Sequence, residues 1–180
     1  MKMARKTKKY IIKPILAALF LALGMVLPLL TGQIKEIGDS LLPMHIPVMI
    51  CGLVCGYKYG AAVGLMLPFL RSLTFSMPPI YPNAVWMAIE LATYGLVIGF
   101  IYMKLSKNRL SMYVALITAM IMGRVVWGVS KAVLLGLGGS NFSISAFIVG
   151  GFVDSLLGIV LQLIVVPPVA TLINRMIRKR

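Results

Sequence analysis

Residues 112–137 read MYVALITAMIMGRVVWGVSKAVLLGL, a run of 26 residues whose only ionisable side chains of ordinary charge are Arg124 and Lys131. At about 1.5 Å per residue, a helix of this length reaches roughly 39 Å, more than the ~30 Å hydrocarbon core of a bilayer. A membrane helix tolerates two cations only where they face a bundle interior or an aqueous cavity. The stretch therefore predicts lipid outside and something polar within.

The rest of the chain agrees. Its 180 residues are 60% hydrophobic and 12% charged, with a mean hydropathy of +0.97. A soluble protein of this length buries only about 70% of its surface on folding, so lipid must cover the remainder. The apolar runs predict six spans, at 12–30, 43–56, 59–75, 84–103, 111–137 and 143–173. The expected fold is all-α: a polytopic six-helix transmembrane bundle forming one integral membrane domain over residues 1–180. The second run is the shortest, reaching about 21 Å, and Pro43, Pro47 and Gly56 bound it. It is expected to be re-entrant or irregular. The first run follows a basic segment but is longer than the ~7–15 residues of a secretory signal core, so it is read as a retained span.

Charge sets the orientation. Lys and Arg total 18 against 4 Asp and Glu, a net charge of +14. On a soluble protein this excess would point to nucleic acid. Here the bases cluster at the termini and in the gaps between apolar runs, which is a topology signal, so no nucleic-acid partner is expected. With the amino terminus inside, fourteen of the 18 bases lie in inner segments and Lys35 alone lies outside. The positive-inside rule then places both termini in the cytoplasm, as in a multi-pass cell-membrane protein.

Small residues recur at helical spacing: Gly52 and Gly56, Gly60 and Gly64, Gly95 and Gly99, Ala84, Ala88 and Ala92, and Ser111, Ala115, Ala119 and Gly123. Such ladders let backbones approach closely in lipid, where van der Waals packing drives association. Ala18 and Ala22 on the first span could equally face a partner. Cys51 and Cys55 are one turn apart in an apolar run, a spacing poorly suited to a disulfide. With His45 the only nearby ligand type, apolar packing is expected and no metal site.

Six ionisable residues fall within or at the edge of spans: His45, Arg71, Glu90, Arg124, Lys131 and Asp154. The topology puts five of them in the outer half of the membrane and Arg124 near the middle, which predicts a pocket open to the outside. On the fifth span Arg124, Gly128 and Lys131 share a face with Trp127 alongside. On the fourth, Asn83, Met87, Glu90 and Tyr94 make a stripe beside Trp86, and on the sixth Gly150, Asp154, Gly158 and Gln162 alternate small and polar. One alternative is that the charges only pair with one another, Glu90 or Asp154 with Arg124 or Lys131, to lock the bundle. Three bases and two acids do not cancel, however, and an uncompensated buried cation is expensive. The excess favours an anionic or strongly hydrogen-bonding solute, with Arg71 and Lys131 as expected contacts and His45, Asn83, Trp86, Glu90, Arg124, Trp127 and Asp154 completing the candidate binding set. The segment Thr31–Leu42, with Gly32 and Gly38, is long enough to act as a lid; Ser76–Asn83, rich in proline, would form a stiffer rim.

The sequence has no phosphate-binding G-x-x-x-x-G-K-[ST] loop, no H-E-x-x-H and no nucleophile elbow, so neither ATP hydrolysis by that route nor those hydrolytic chemistries are expected. No catalytic residue and no cofactor is assigned.

The segments Leu42-Pro43-Met44-His45-Ile46-Pro47, Cys51 to Gly60 and Glu90-Leu91-Ala92-Thr93-Tyr94-Gly95 resemble the substrate-binding S component of energy-coupling factor (ECF) transporters. That resemblance implies capture of a vitamin or related micronutrient from outside a bacterial plasma membrane. Delivery would run through a transmembrane T subunit and two cytosolic ATPases. It also implies that Ala18 and Ala22 dock on the T subunit and that the Thr31–Leu42 loop occludes the substrate. A pantothenate-like anion suits the positive excess; a pyridoxine or hydroxymethylpyrimidine ring would suit Glu90, Trp86 and Trp127. A stand-alone proton-coupled transporter using Glu90 and Asp154, and a lipid-modifying membrane enzyme, are the competing readings.

Overall fold

The computed structural model describes residues 2–31, 40–106, 108–137 and 143–179, and among these it is helical with short turns and has no strands. Helix α1 spans Lys2–Val26 and runs into a 3₁₀ turn at Leu27–Thr31. Helix α2 (His45–Cys55) and helix α3 (Tyr57–Phe75) are joined by Gly56 alone. A kinked turn at Ile80–Ala84 leads into α4 (Val85–Lys104), and α5 spans Arg109–Leu137. The short α6 (Ile144–Ile148) passes through a π turn at Val149–Val153 before α7 (Leu156–Lys179).

Glycine explains how three of these helices cross so closely. A Cβ on Gly95 would collide with the backbone carbonyl of Gly60, and one on Gly64 with the carbonyl of Leu91. A Cβ on Gly52 would lie 2.7 Å from the Gly95 oxygen, and one on Gly99 2.5 Å from the Tyr57 nitrogen. α2, α3 and α4 therefore meet backbone to backbone, which only hydrogen at these positions allows. Gly56 has a further role: its φ of 97° turns the chain between α2 and α3 in a conformation that other residues adopt only at a cost.

The outside of the bundle is as apolar as its inside. On α5, Ala115, Leu116 and Ala119 are fully buried while Ile117, Ile121, Val125, Val129 and Val133 are exposed. On α1, Phe20 is buried and Ile11, Ile15, Leu19 and Leu23 are exposed. A water-facing helix would carry polar residues there; these faces are built for lipid. The ladder Ser111, Ala115, Ala119 and Gly123 lies on the buried face of α5. Cys51 and Cys55 are free thiols inside the core.

Among the described residues, four segments are long and apolar enough to cross a membrane: Ile11–Leu30, Ile80–Lys104, Arg109–Gly136 and Val149–Ile177. The other two runs read as spans fall short of that length or apolarity. The 43–56 run forms a helix of 11 residues, about 16 Å long, and nine of its residues are buried, so it is a core helix without a lipid face. The 59–75 run forms α3, which has the length, but Lys58, Arg71 and its glycines make it less apolar. The 143–173 run is not one continuous helix, because the π turn and the turn at Asp154 and Ser155 interrupt it.

Candidate functional site

The start of α2, the end of α3, the turn before α4, and α4, α5 and the π turn converge on one cavity of about 530 Å³. This volume is in the range of small-molecule sites, about 300–1,000 Å³. All nine residues of the candidate set, His45, Arg71, Asn83, Trp86, Glu90, Arg124, Trp127, Lys131 and Asp154, line it. The spacing arguments account for the convergence. Trp86 and Glu90 are one turn apart on α4, and Arg124, Trp127 and Lys131 lie at i, i+3 and i+7 on α5.

The floor is an ionic cluster. Arg124 Nη1 donates to Glu90 Oε1 at 3.3 Å, and His45 Nε2 lies 3.4 Å from the same oxygen. Arg124 is 4% exposed, and Glu90 and His45 are each 2% exposed. Behind them, Tyr94 packs edge-on to the His45 ring at 5.0 Å between centroids. It fits against Gly123, where a Cβ would come within 2.6 Å of its ring. Hydrogen bonding in this cluster is incomplete: His45 Nε2 faces Glu90 without a formed hydrogen bond, and His45 Nδ1 and Arg124 Nε and Nη2 are buried with no hydrogen-bond partner among the described residues. Each such group costs about 1–3 kcal/mol, so the cluster is shaped for something other than maximum stability.

The wall is aromatic and cationic. Lys131 Nζ stands 4.7 Å from the Trp127 ring centre and 5.5 Å from that of Trp86. Trp127 stacks on Phe147 with centroids 6.2 Å apart. Gly150 and Gly151 leave room for its indole, since added Cβ atoms would meet it at 3.2 and 3.5 Å. Arg71 is held by separate contacts, donating from Nη1 to the Met25 carbonyl at 2.7 Å with its guanidinium 5.3 Å from the Phe75 ring centre.

These placements refine the sequence reading. Glu90 and Arg124 form the charge pair that was one of the alternatives. Asp154 is exposed, in the turn that follows the π turn at Val149–Val153, and lines the cavity. Lys131 is half-buried. Of the Thr31–Leu42 loop, residues 32–39 lie outside the described residues; its end, Leu42, lines the cavity with Pro43 and Met44, and Met77, Pro78 and Pro79 of the proline-rich stretch line it too. The Met25 carbonyl, Phe75 and Phe147 were not anticipated: a backbone acceptor and two aromatic supports carry no sequence signal until the helices are packed. Ala18 and Ala22 lie away from the cavity, exposed on α1. Among the described residues no cluster of His, Cys, Asp and Glu could hold a metal ion.

A lipid-facing helical bundle around a polar, aromatic-lined cavity defines a membrane protein that holds a small solute. The family model for the ECF transporter substrate-specific component matches residues 12–170, and the chain belongs to that family. No curated protein matches the sequence. No solved structure matches it either. Membership makes this a substrate-binding subunit of an ECF transporter and implies a small-molecule substrate with T and ATPase subunits as partners.

Proposed function

We propose that the cavity captures a water-soluble vitamin or related micronutrient and that the chain hands it to a T subunit driven by two cytosolic ATPases. The observation that carries this reading is the convergence of nine polar and aromatic residues from separate helices on one cavity, inside a bundle whose outer faces are apolar. Six crossings with both termini cytoplasmic, in a bacterial plasma membrane, put the cavity at the outer face. The count of bases supports that orientation. Ala18 and Ala22, small and exposed on α1, give the T subunit a close-packing face. The ligand chemistries compatible with the wall are a pantothenate-like anion and a pyridoxine or hydroxymethylpyrimidine ring.

The test separates binding from transport. Purified chain in detergent binds its vitamin by itself. Proteoliposomes holding the chain alone accumulate none, and those holding the T subunit, the ATPases and ATP do. ATP-independent, proton-driven uptake by the chain alone would overturn the reading.

A further inference from the structure

Helix α1 is fastened to α3 unevenly. Among the described residues it is the least buried of the membrane-length segments. Along its middle it stands off α3, leaving an apolar gap of about 220 Å³ lined by Ala17, Ala18 and Leu21 on one side and Tyr59, Val63 and Met66 on the other. Toward their C-terminal ends the two helices close up. A Cβ on Gly24 would lie 2.5 Å from Leu67 Cδ2, and one turn further along α3 Arg71 Nη1 donates to the Met25 carbonyl at 2.7 Å. That carbonyl is in the last turn of α1, where carbonyls run short of backbone donors, and Pro28, three residues on, brings no N–H to supply one. A guanidinium at this position also meets the negative end of the helix dipole.

This fastening belongs to the cavity wall. Arg71 and Pro28 both line the cavity, and Pro28 is buried in the 3₁₀ turn Leu27–Thr31 that continues α1. The guanidinium is committed to a main-chain oxygen and to the Phe75 ring, so its charge has partners without any ligand. With the cavity taken as the substrate site, on which this step rests, we infer that Arg71 is a positioning residue for capture. It holds the end of α1, and Pro28 with it, as one wall of the cavity, and loss of its bond to Met25 widens solute access along the α1–α3 seam. This role replaces the direct anion contact that its charge alone suggests.

Two measurements on the purified full-length chain in detergent test this without a ligand. Backbone amide exchange at residues 24–31 is expected to rise about 10-fold or more in Arg71→Met, with exchange in α4 and α5 staying within about twofold of wild type. Acrylamide quenching of Trp86 and Trp127, which line the cavity, is expected to rise about twofold in the same variant. Thr74→Ala, close by on α3, removes a hydroxyl that bonds the Leu70 carbonyl of its own helix and is expected to leave both readings at wild-type values. Thermal unfolding reports whether Arg71→Met folds, and Arg71→Gln, read the same way, takes its place if it does not. Unchanged exchange at 24–31, a rise spread evenly through α4 and α5, or equal rises in Thr74→Ala would each overturn the inference. So would unchanged quenching, the result expected of a residue that touches only the ligand. Mass spectrometry for retained solute separates the two readings. Unchanged exchange and quenching in a chain that retains a small solute would overturn this inference alone. Raised exchange and quenching in a chain that retains and binds none would keep Arg71's hold on α1 but overturn the capture reading, and its role in capture with it.

Discussion

Arg124 and Glu90 meet across α5 and α4 at 3.3 Å with 4% and 3% of their side chains exposed. Charges so far from water are held by each other and by whatever else reaches them. Removing one partner leaves the other uncompensated, at a cost of about 3–5 kcal/mol. Glu90→Ala is therefore expected to destabilise the chain in detergent more than the double change Glu90→Ala with Arg124→Ala does. Denaturant titration of the two variants checks this. Equal or greater damage in the double variant would mean that the pair is not the coupled unit described.

The α3–α4 crossing depends on Gly60 and Gly95, where an added Cβ meets backbone rather than a movable side chain. Gly95→Val is expected to cost at least the upper end of the ~1–3 kcal/mol typical of overpacking, because neither helix can yield without displacing the other. Gly136, where nothing lies within 4 Å, is the control, and Gly136→Ala is expected to be neutral or to stabilise by up to about 1 kcal/mol. Thermal midpoints of the two variants measure the contrast.

Both tryptophans of the chain, Trp86 and Trp127, line the cavity, so intrinsic fluorescence reports on it without background. Substrate binding is expected to shift or quench the emission, and Trp86→Phe and Trp127→Phe are each expected to keep part of the signal. Saturable binding seen by calorimetry with unchanged tryptophan emission would place the ligand elsewhere.

Ala18 and Ala22 are exposed on α1 and away from the cavity. Ala18→Leu with Ala22→Leu is expected to leave substrate affinity unchanged and to abolish uptake by the assembled transporter, since bulk on a small-residue face blocks close helix approach. Loss of binding together with uptake would argue for a fault in folding rather than in docking.

The sequence revealed those parts of the protein that depend on local periodicity. Arg124, Trp127 and Lys131 share a face because α5 is a regular helix, and the glycine pairs announce close crossings because only hydrogen permits them. Departures of the backbone from regularity, and the surroundings of a helix, are not legible in that way. The 143–173 run was read as one span, and a π turn at Val149–Val153, just before Asp154, interrupts it. The 43–56 run was expected to be re-entrant or irregular, and it forms a regular helix that is short and buried on nearly every side. Apolar composition alone does not distinguish a core helix from a lipid-facing one. Arg71 illustrates a different limit: its partner is the Met25 carbonyl, 46 residues away, and main-chain acceptors have no residue type to read.

The central claim is that this cavity holds the transported solute, and mass spectrometry of small molecules released from the purified chain tests it most directly. Wild-type protein is expected to release one water-soluble vitamin-sized compound in near-stoichiometric amount, and a folded Trp86→Ala, Trp127→Ala variant is expected to release little or none. Equal retention by both proteins, or release of lipid alone from both, would contradict the account.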